Sequence, residues 1–452
     1  MSASSSATRM TDGPIWKRIL VFAIPIFWGN LFQQLYNTAD SLIVGRFLGS
    51  EALAAVSSSG NLIYLMVGFF NGVSLGAGVV IARYFGAKDM ENVQKSIHTT
   101  VTLGLICSVI LALIGFLAAP QILVLMGTPA DVLPNSITYF RIYFAGSIGF
   151  VMYNCFVGIL QAVGDSKHPL FYLVIASIVN IVLDIFFIAV LGFRVGAAAL
   201  ATVISQCLSA LLCLVQLLRS PEEFRLYPKK LHLDRQMLRQ IIRNGIPAGL
   251  QNSIISIANV FVQSNINAFG TNAIAGCGVY AKIQGFAFLP VTCFTMALST
   301  FISQNLGARE YNRAKKGAAF GIACCTIAAE TVGLITVLFA PQFIALFSDV
   351  PEVISYGVSY SRCNGFFFCL LAFSHCMAAI MRGAGKSTVP MYVMLISWCL
   401  IRVSYISIVV RFIPKITVVY WAYPITWAIS SVIFLIYYLK SDWIHGLDAQ
   451  TI

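Results

Sequence analysis

Apolar segments of about 20 residues or more recur about twelve times along this chain, and they restrict its possible folds more than any other feature. A helix of that length crosses the roughly 30 Å hydrocarbon core of a bilayer. Hydrophobic residues make up 58% of the chain and charged residues only 10%, which excludes an ordinary soluble domain. The predicted spans are residues 16–41, 54–82, 96–119, 136–160, 169–191, 196–218, 242–267, 274–303, 317–340, 355–380, 390–410 and 418–439.

The second half of the chain repeats the first. Ile24-Pro25 recurs as Ile246-Pro247 at a shift of 222, and the GAKD of residues 86–89 recurs as the GARE of residues 307–310 at a shift of 221. A nearly constant offset indicates an internal duplication. Each copy holds six predicted helices, and an even number places both copies in the membrane in the same orientation. We therefore predict an all-α integral membrane protein of twelve transmembrane helices, in two six-helix bundles related by a pseudo-twofold axis along the membrane normal.

The most polar segment of the chain lies between the two copies. We predict an N-terminal six-helix lobe over residues 1–218, a cytoplasmic basic linker over residues 219–243 and a C-terminal six-helix lobe over residues 244–452. Of the 29 Lys and Arg residues, 21 fall on the linker side of the predicted spans and four on the opposite side. This asymmetry predicts a multi-pass protein of the cell membrane with both termini cytoplasmic and no removable signal peptide. The net charge of +12 is therefore a topology signal and an attraction to anionic lipid in the bilayer, and no nucleic-acid partner is expected.

Several chemical classes are not supported by the sequence. The 12 cysteines lie almost entirely within predicted spans without metal-ligand spacing, so we interpret them as helix-packing residues. Residues 383–388 are similar to the end of a phosphate-binding loop, but no strand is predicted before them. In the first copy of the repeat, Asp165 stands at the position of Lys386. None of the five histidines pairs with an evident nucleophile or metal set. We expect no enzyme activity and no cofactor, so active transport would use an ion gradient.

Helix 1 has a polar face inside an apolar span. Pro25 predicts a kink in this helix, because proline removes a backbone hydrogen bond and clashes with the preceding turn. Beyond it, Gln33, Asn37 and Asp40 share one face, and Gln34 lies beside them. Lipid cannot hydrogen-bond these groups, so the face is expected to point inward. The alternative for Asp40, near the end of its helix, is a side chain that reaches out to the interface.

A second group of polar residues lies in helices 4 to 6. Asn180 and Asp184 are spaced i, i+4 within an apolar run of helix 5, Thr202 follows in helix 6, and helix 4 adds Tyr139 and Asn154. A carboxylate at depth is unfavourable by several kcal/mol unless it is paired, and such residues commonly mark ion paths or proton relays. A purely structural hydrogen bond is the alternative for Asp184.

The second copy lacks this ionisable set. At the positions equivalent to Asp40, Asn180, Asp184 and Thr202 it has Val262, Ile401, Tyr405 and Tyr423. The asymmetry predicts a single coupling site in the first lobe. Glu330 in helix 9 is another intramembrane acid, and Arg402 in helix 11 is considered as its partner.

Over nearly its whole length the chain resembles the multidrug and toxic compound extrusion (MATE) transporters. The resemblance is in the 6+6 helices, the basic central linker and the Gln-Asn-Leu-Gly-Ala of residues 304–308. Pro25 and Asp40 with Asn180, Asp184 and Thr202 are similar to the first-lobe cation site of the prokaryotic DNA-damage-inducible subfamily. The resemblance implies export of small organic, often cationic, compounds coupled to inward H⁺ or Na⁺. It also implies that four further residues belong to the polar network or the substrate cavity: Gln33, Gln34, Tyr139 and Asn154.

The chain departs from the MATE subfamily that has acidic residues in helices 7 and 10 of its second lobe. Here these helices have neutral residues such as Asn259 and Ser374, which argues against a sodium site in that lobe. In the first lobe Na⁺ is the alternative to H⁺ at the Asp40–Asp184 site. Two carboxylates in a poorly hydrated pocket cannot both ionise cheaply, so we expect the pair to take up a proton and to change the bend of helix 1.

Two other functions are compatible with twelve helices. A flippase for a lipid-linked precursor would favour cationic residues in its cavity, whereas the cavity candidates here are acidic or neutral. A membrane-embedded enzyme would need a nucleophile–base pair or a metal set. We therefore predict an antiporter that acts as a monomer, with the flippase as the alternative.

The predicted topology can be tested by cysteine labelling. Single cysteines placed in residues 219–243 of a cysteine-free variant are expected to react with a membrane-impermeant maleimide only after the cells are opened. Labelling of these positions in intact cells would contradict both the orientation and the parallel arrangement of the two copies.

Overall fold

The structure is a computed structural model that describes residues 9–125 and 132–445. These ranges are helical and contain no strand. The helices are α1 (Ile15–Gly86), α2 (Met90–Leu125), α3 (Leu133–Ala145), α4 (Ser147–Ala162), α5 (Lys167–Asp184), α6 (Gly196–Leu218), α7 (Arg235–Asn267), α8 (Thr271–Ala287), α9 (Leu289–Gly307), α10 (Tyr311–Leu338), α11 (Ala340–Ala345), α12 (Pro351–Gly365), α13 (Phe368–Gly383), α14 (Thr388–Met394), α15 (Arg402–Phe412) and α16 (Ile416–Lys440). Two π-helical segments follow α5 and α14, at Ile185–Val190 and Leu395–Ile401, and Pro228–Lys230 forms one 3₁₀ turn.

The described helices contain enough membrane spans for the predicted class. Ten are long and apolar enough to cross a bilayer, and the number reaches 12 when each of two bent pairs is counted as one span. The pairs are α3 with α4, bent by 47°, and α12 with α13, bent by 55°. The two bends lie at equivalent positions of the repeat. The all-helical fold with up to twelve spans is therefore confirmed.

One element differs from the sequence-based prediction. The predicted spans 16–41 and 54–82 both lie within α1, which is helical through the predicted loop at Arg46. No proline follows Pro25 until α2, so no residue between the two spans is incompatible with helical backbone.

The backbone repeats the duplication seen in the sequence. Lys88 and Arg309, in the GAKD and GARE segments, both adopt a φ of 59°, and these are the two non-glycine residues with positive φ in the described ranges. Gly164 and Gly385 are also equivalent and have φ values of 87° and 73°. A left-handed residue just after a helix lets the following N–H groups reach the last helical carbonyls. The recurring motifs are therefore helix ends of the same geometry.

The chain divides into two compact units that exchange short segments. Unit 1 comprises Ile24–Gly245 together with the N-terminus up to Arg9, and unit 2 comprises Met10–Ala23 and Ile246–Ile452. Both boundaries inside helices fall beside the Ile-Pro pairs, in α1 and in α7. Both α1 and α7 therefore begin in one unit and continue in the other.

The predicted linker is an ordered part of unit 1. Phe224 and Leu226 are buried in the unit's hydrophobic core. The N–H of Tyr227 donates to Nε2 of His98 at 3.1 Å, and the N–H of Asp234 donates to the hydroxyl of Thr99 at 3.1 Å. Burial of apolar side chains and pairing of backbone groups hold this segment against α2.

The N-terminal segment of unit 2 is anchored by the Gln-Asn motif. Met10 is buried, and its N–H donates to Oε1 of Gln304 at 2.8 Å. Its carbonyl accepts from Nδ2 of Asn305 at 3.3 Å and from the guanidinium of Arg313 at 3.1 and 3.2 Å. The buried amides of Gln304 and Asn305, together with the half-buried Arg313, therefore hold the backbone that leads into α1.

A close backbone approach between α1 and α7 provides a stability test for unit 1. A Cβ atom at Gly76 would overlap the backbone nitrogen and Cα of Gly245, whereas a Cβ at Gly278 in α8 would meet no atom within 4 Å. Gly76→Ala is therefore expected to lower the free energy of unfolding by about 1–3 kcal/mol or more, since backbone atoms cannot move aside as a flexible side chain can. Gly278→Ala is the matched control, and thermal unfolding in detergent measures both. Equal melting temperatures for the two variants would contradict the close approach.

Candidate functional site

The polar face of α1 lies opposite an apolar one. Ile24, Trp28 and Phe32 are exposed and follow each other at four-residue intervals, as expected of a lipid-facing stripe. Asn37 is nine residues from Trp28, about two and a half turns, so the two side chains point to opposite sides of the helix. Gln33 and Asn37 are exposed on that polar side. Because lipid offers no partner for an amide, this side faces water or polar protein groups.

Asp40 and Asp184 come together in unit 1. The carboxyl groups of Asp40 and Asp184 are close neighbours. Asp184 is fully buried and Asn180, one turn earlier in α5, is 1% exposed. The i, i+4 spacing therefore places the amide of Asn180 on the same face as the carboxyl of Asp184.

The polar atoms of this group are short of donors. Within the described ranges, five buried polar atoms have no hydrogen-bond partner: one oxygen of Asp40, both oxygens of Asp184 and both polar atoms of the Asn180 amide. An ionised carboxylate only accepts hydrogen bonds, so two of them can bond to each other only when one is protonated. The arrangement consequently favours the uptake of a cation or a proton by the pair.

Tyrosines surround the carboxyl pair. The hydroxyl of Tyr139 in α3 is electrostatically coupled to both Asp40 and Asp184. Its ring stacks on that of Tyr143, with centroids 6.5 Å apart. Tyr36, one turn before Asp40, is close to both carboxyls and within hydrogen-bonding reach of Gln33.

Tyr36 and Tyr143 are functional candidates that the sequence reading does not select. The signal available for them is spacing, since each is four residues from a selected residue, Asp40 or Tyr139. Tyr143 also has Gln206 of α6 as a neighbour of its hydroxyl. Without knowledge of the partner helix, such tyrosines cannot be distinguished from ordinary helix-packing residues.

An apolar layer lies one turn beyond the polar group. Val44 follows Asp40 by four residues, Ile188 follows Asp184 by four, and Ala198 precedes Thr202 by four. All three are buried and belong to one hydrophobic cluster together with Tyr139. This layer joins α1, α3, α6 and the first π-helical segment, and it shields the carboxyl pair from water on that side.

Thr202 and Asn154 have less direct relations to the pair. The hydroxyl of Thr202 is nearly buried and donates to the carbonyl of Ala198 at 2.9 Å, which leaves its lone pairs free to accept. Nδ2 of Asn154 donates to the carbonyl of Phe150 at 2.8 Å, within its own helix. Gln34 is half-buried, and its backbone carbonyl accepts from the hydroxyl of Thr38 at 2.8 Å. Pro25 is buried at the point where α1 enters unit 1.

The oxygen atoms around the pair also suit a small cation. Asp40, Asp184, Asn180 and Thr202 offer carboxylate, amide and hydroxyl oxygens, the donor types that hard cations prefer. The described residues contain no group of three or more His, Cys, Asp or Glu side chains that could hold a metal ion. A resident transition metal therefore has no ligand set here among these residues.

Aromatic residues fill the equivalent region of the second repeat. Val262, the counterpart of Asp40, is buried in a cluster that includes Tyr280 and Tyr360. Tyr360 is the counterpart of Tyr139 and stacks on Tyr420, with centroids 4.3 Å apart and planes 10° apart. The second repeat thus keeps an aromatic wall without a carboxyl pair.

The pairing considered for Glu330 and Arg402 is wrong. Glu330 accepts the backbone N–H of Cys369 at 2.8 Å and so caps the start of α13. Arg402 is fully buried and donates to the hydroxyl of Thr426 at 2.8 Å from Nη2. Its guanidinium lies over the ring of Tyr423, 4.3 Å from the centroid. The helix break at the start of α13 leaves backbone donors that the Glu330 carboxylate satisfies, and aromatic contacts hold the cation instead.

The MatE family model matches residues 25–186 and 247–408. The chain belongs to the MatE family. The two matched segments are equivalent halves of the duplication at a shift of 222, so the family pattern occurs once in each repeat. This confirms the resemblance to MATE transporters. It also confirms the prediction of a multi-pass membrane transporter of the multidrug efflux type. The DNA-damage-inducible subfamily remains a prediction.

Relatives match this MatE chain over nearly its whole length. It is 28% identical over 433 residues to the "Probable multidrug resistance protein YoeA" of Bacillus subtilis (strain 168), covering 94% of this chain and 93% of YoeA. The solved outward-facing conformation of a multidrug resistance MATE family transporter of the MOP superfamily has a TM-score of 0.90 at 26% identity, and 98% of this chain and 99% of that chain are covered. A MATE structure in the bent conformation also has a TM-score of 0.90 at 26% identity, with 98% of both chains covered.

The two repeats of this MatE protein are expected to be functionally unequal. Asp184→Asn should reduce efflux of a cationic dye to the background of empty vesicles, because the pair loses its exchangeable charge. Tyr405→Phe alters the equivalent residue of the second repeat and should at most change substrate preference. Efflux from proteoliposomes, normalised to the inserted protein, measures both. Comparable losses in the two variants would contradict a single coupling site.

Proposed function

We propose that this MatE protein is a secondary active antiporter of the cell membrane that exports small organic, often cationic, compounds in exchange for inward-moving protons. The observation that supports this most is the Asp40–Asp184 pair, in which Asp184 is fully buried and three of the four carboxyl oxygens are buried without a hydrogen-bond donor. Family membership supports transport, and the chemistry of the pair supports the coupling ion. The proposal includes the predicted orientation, with both termini and the linker cytoplasmic, and a monomeric transporter.

Proton uptake would change the character of the pair. With both carboxyls ionised, the site is negatively charged, poorly hydrated and repulsive, which is unfavourable in a low-dielectric region. One proton removes a charge and supplies the hydrogen bond that joins Asp40 to Asp184. The protonated pair is compact, whereas the ionised pair needs a cation or water beside it.

An organic cation and the proton would compete for the same negative charge. The tyrosine rings around the pair, Tyr36 and Tyr139, offer cation–π contacts to an ammonium or a flat aromatic cation. The amides of Gln33, Gln34 and Asn37 offer neutral hydrogen bonds on the same side of α1. Binding of either partner would therefore weaken binding of the other, and antiport requires this negative coupling.

Helix α1 would connect the pair to the rest of the protein. Asp40 is 15 residues from Pro25, where the helix lacks one backbone hydrogen bond and can bend at low energetic cost. Formation of the Asp40–Asp184 hydrogen bond would fix the part of α1 around Asp40 against α5. The solved MATE structure in the bent conformation is consistent with a helix of variable shape in the family.

Sodium is the second candidate for the coupling ion. The oxygens of Asp40, Asp184, Asn180 and Thr202 would serve as its ligands, and no further residue is needed to reach four donors. The proton is favoured because the carboxyl pair achieves its own hydrogen bond on protonation. A lipid-linked precursor flippase remains the alternative function if neither ion drives export.

The response to imposed gradients tests the coupling ion. In proteoliposomes whose proteins are oriented as in the cell, acid outside with sodium absent is expected to drive dye efflux, and Asp40→Asn should abolish this response. Glu330→Gln is the matched control, since it neutralises the intramembrane acid of the second repeat but leaves an oxygen for the N–H of Cys369. Efflux that depends on a sodium gradient but not on a proton gradient would identify Na⁺, in place of H⁺, as the coupling ion at the same site. Efflux that ignores both gradients would overturn the antiporter in favour of the flippase.

A further inference from the structure

Unit 2 has an open groove on the outer surface of α12. Its volume is about 520 Å³, and the apolar and polar side chains that line it come from α12, α16 and the segment around α11. The lining residues are Pro341, Pro351, Ile354, Ser355, Val358, Ser359, Arg362, Cys363 and Trp421. Ser355, Ser359 and Arg362 are spaced i, i+4, i+7, so their polar groups form one line along the helix.

The groove opens toward the lipid. Trp421 on its rim is exposed and shares a face of α16 with Val432, Leu435 and Leu439, which are exposed apolar side chains 11, 14 and 18 residues further on. Phe366 is also exposed and lies one turn beyond Arg362. Exposed apolar side chains in this pattern are typical of a helix surface in contact with acyl chains.

Arg362 lies at a depth where a cation needs a partner. The bent span from Pro351 to Gly383 contains roughly 33 residues, which is more than the ~20 that cross a 30 Å core. Arg362 is the twelfth residue of this span, so its Cα lies inside the hydrocarbon boundary. A long cationic side chain at depth tends to reach toward the interface, and Ser359 and Ser355 lie on that side of Arg362 along the same helix face.

The structure provides no acceptor for this guanidinium. Arg362 is exposed and has no hydrogen-bond or ion-pair partner within residues 9–125 and 132–445. The carboxylate of α12 nearest in sequence, Glu352, is hydrogen-bonded by Asn272 and lies ten residues away. A groove with an unneutralised cation at its inner end attracts an anion, and its apolar rim favours a hydrophobic one.

The equivalent arginine of the first repeat is used differently. Arg141 precedes Arg362 by the repeat offset of 221. Its Nε donates to the carbonyl of Phe116 at 3.2 Å, and its guanidinium lies 5.2 Å from the centroid of the Phe116 ring. The residue equivalent to Phe116 is Val337, which has no ring to hold the guanidinium. The internal partner is thus found only in the first repeat.

We propose that the groove binds an anionic glycerophospholipid of the surrounding leaflet. Its phosphate accepts charge-assisted hydrogen bonds from Arg362 and hydroxyl hydrogen bonds from Ser355 and Ser359. One acyl chain lies along Ile354, Val358 and Trp421. A lipid of net negative charge fits better than a zwitterionic one, because the side chains that line the groove include a cation, Arg362, and no carboxylate that would bind an ammonium headgroup. The bound lipid neutralises a cation that otherwise faces hydrocarbon.

Lipid binding to the purified, delipidated full-length protein tests this proposal. Titration with phosphatidylglycerol, followed by native mass spectrometry, should yield one adduct that is retained at higher collision energy than the others. Arg362→Gln is expected to bind this lipid roughly tenfold more weakly, the loss typical of a charge-assisted hydrogen bond. Arg141→Gln is the matched control and should bind as the parent protein does.

Two further measurements make the outcome decisive. Ser359→Leu fills the groove and keeps the charge, so it should also weaken retention, and it replaces Arg362→Gln if that variant fails to fold. Unchanged retention in Arg362→Gln, or in Ser359→Leu where that variant replaces it, would overturn the proposal. Competition by glycerophosphoglycerol, which has the headgroup without acyl chains, should be negligible. If glycerophosphoglycerol competes at concentrations similar to those of the lipid, the ligand of the groove is a soluble anion and the lipid proposal is overturned.

Discussion

A carboxyl group inside a bilayer must find a partner, and the first repeat is arranged around that requirement. Transfer of a charged side chain to the centre of a membrane helix is unfavourable by about 3 kcal/mol even on the mildest scale. The protein brings two such groups together at Asp40 and Asp184, surrounds them with tyrosine hydroxyls and closes one side with an apolar layer. None of the neighbours named here is a cation, so an ionised pair would lack a compensating charge among them. The proposed exchange of a proton at this site would meet that need.

The two repeats show that backbone geometry and site chemistry can be separated. The left-handed residues at Lys88 and Arg309 and the bends within the α3–α4 and α12–α13 pairs recur at equivalent positions. Side chains have diverged on this common frame. Tyr360 still occupies the position of Tyr139, but tyrosines fill the volume around it, and the buried cation Arg402 is held by a hydroxyl and aromatic rings. The second repeat thus has no carboxyl group at the positions equivalent to Asp40 and Asp184.

The sequence predicts best what depends on periodicity along a single helix. The spacing of Asn180 and Asp184 places both on one face, and the structure has both buried there. Contacts between helices are less accessible to prediction, because they depend on the rotation and depth of each helix. Tyr36 and Tyr143 belong to the site only because α3 packs beside α1 at one register. Glu330 caps α13 only because the helix breaks just before Phe368. The order of the linker depends on Phe224 and Leu226, two apolar residues within a segment whose charges suggest exposure.

The exchange of segments between the two units has a consequence for biogenesis. Residues 10–23 leave the ribosome near the beginning of synthesis, yet they belong to a unit whose remaining residues start at Ile246. Met10 is anchored by the side chains of Gln304 and Arg313, which are synthesised about three hundred residues later. The first turns of α1 therefore lack their unit 2 partners while the residues of unit 1 are synthesised. The rest of the same helix already belongs to unit 1. A chain cut at the linker would therefore yield two fragments, neither of which contains all the residues of one unit.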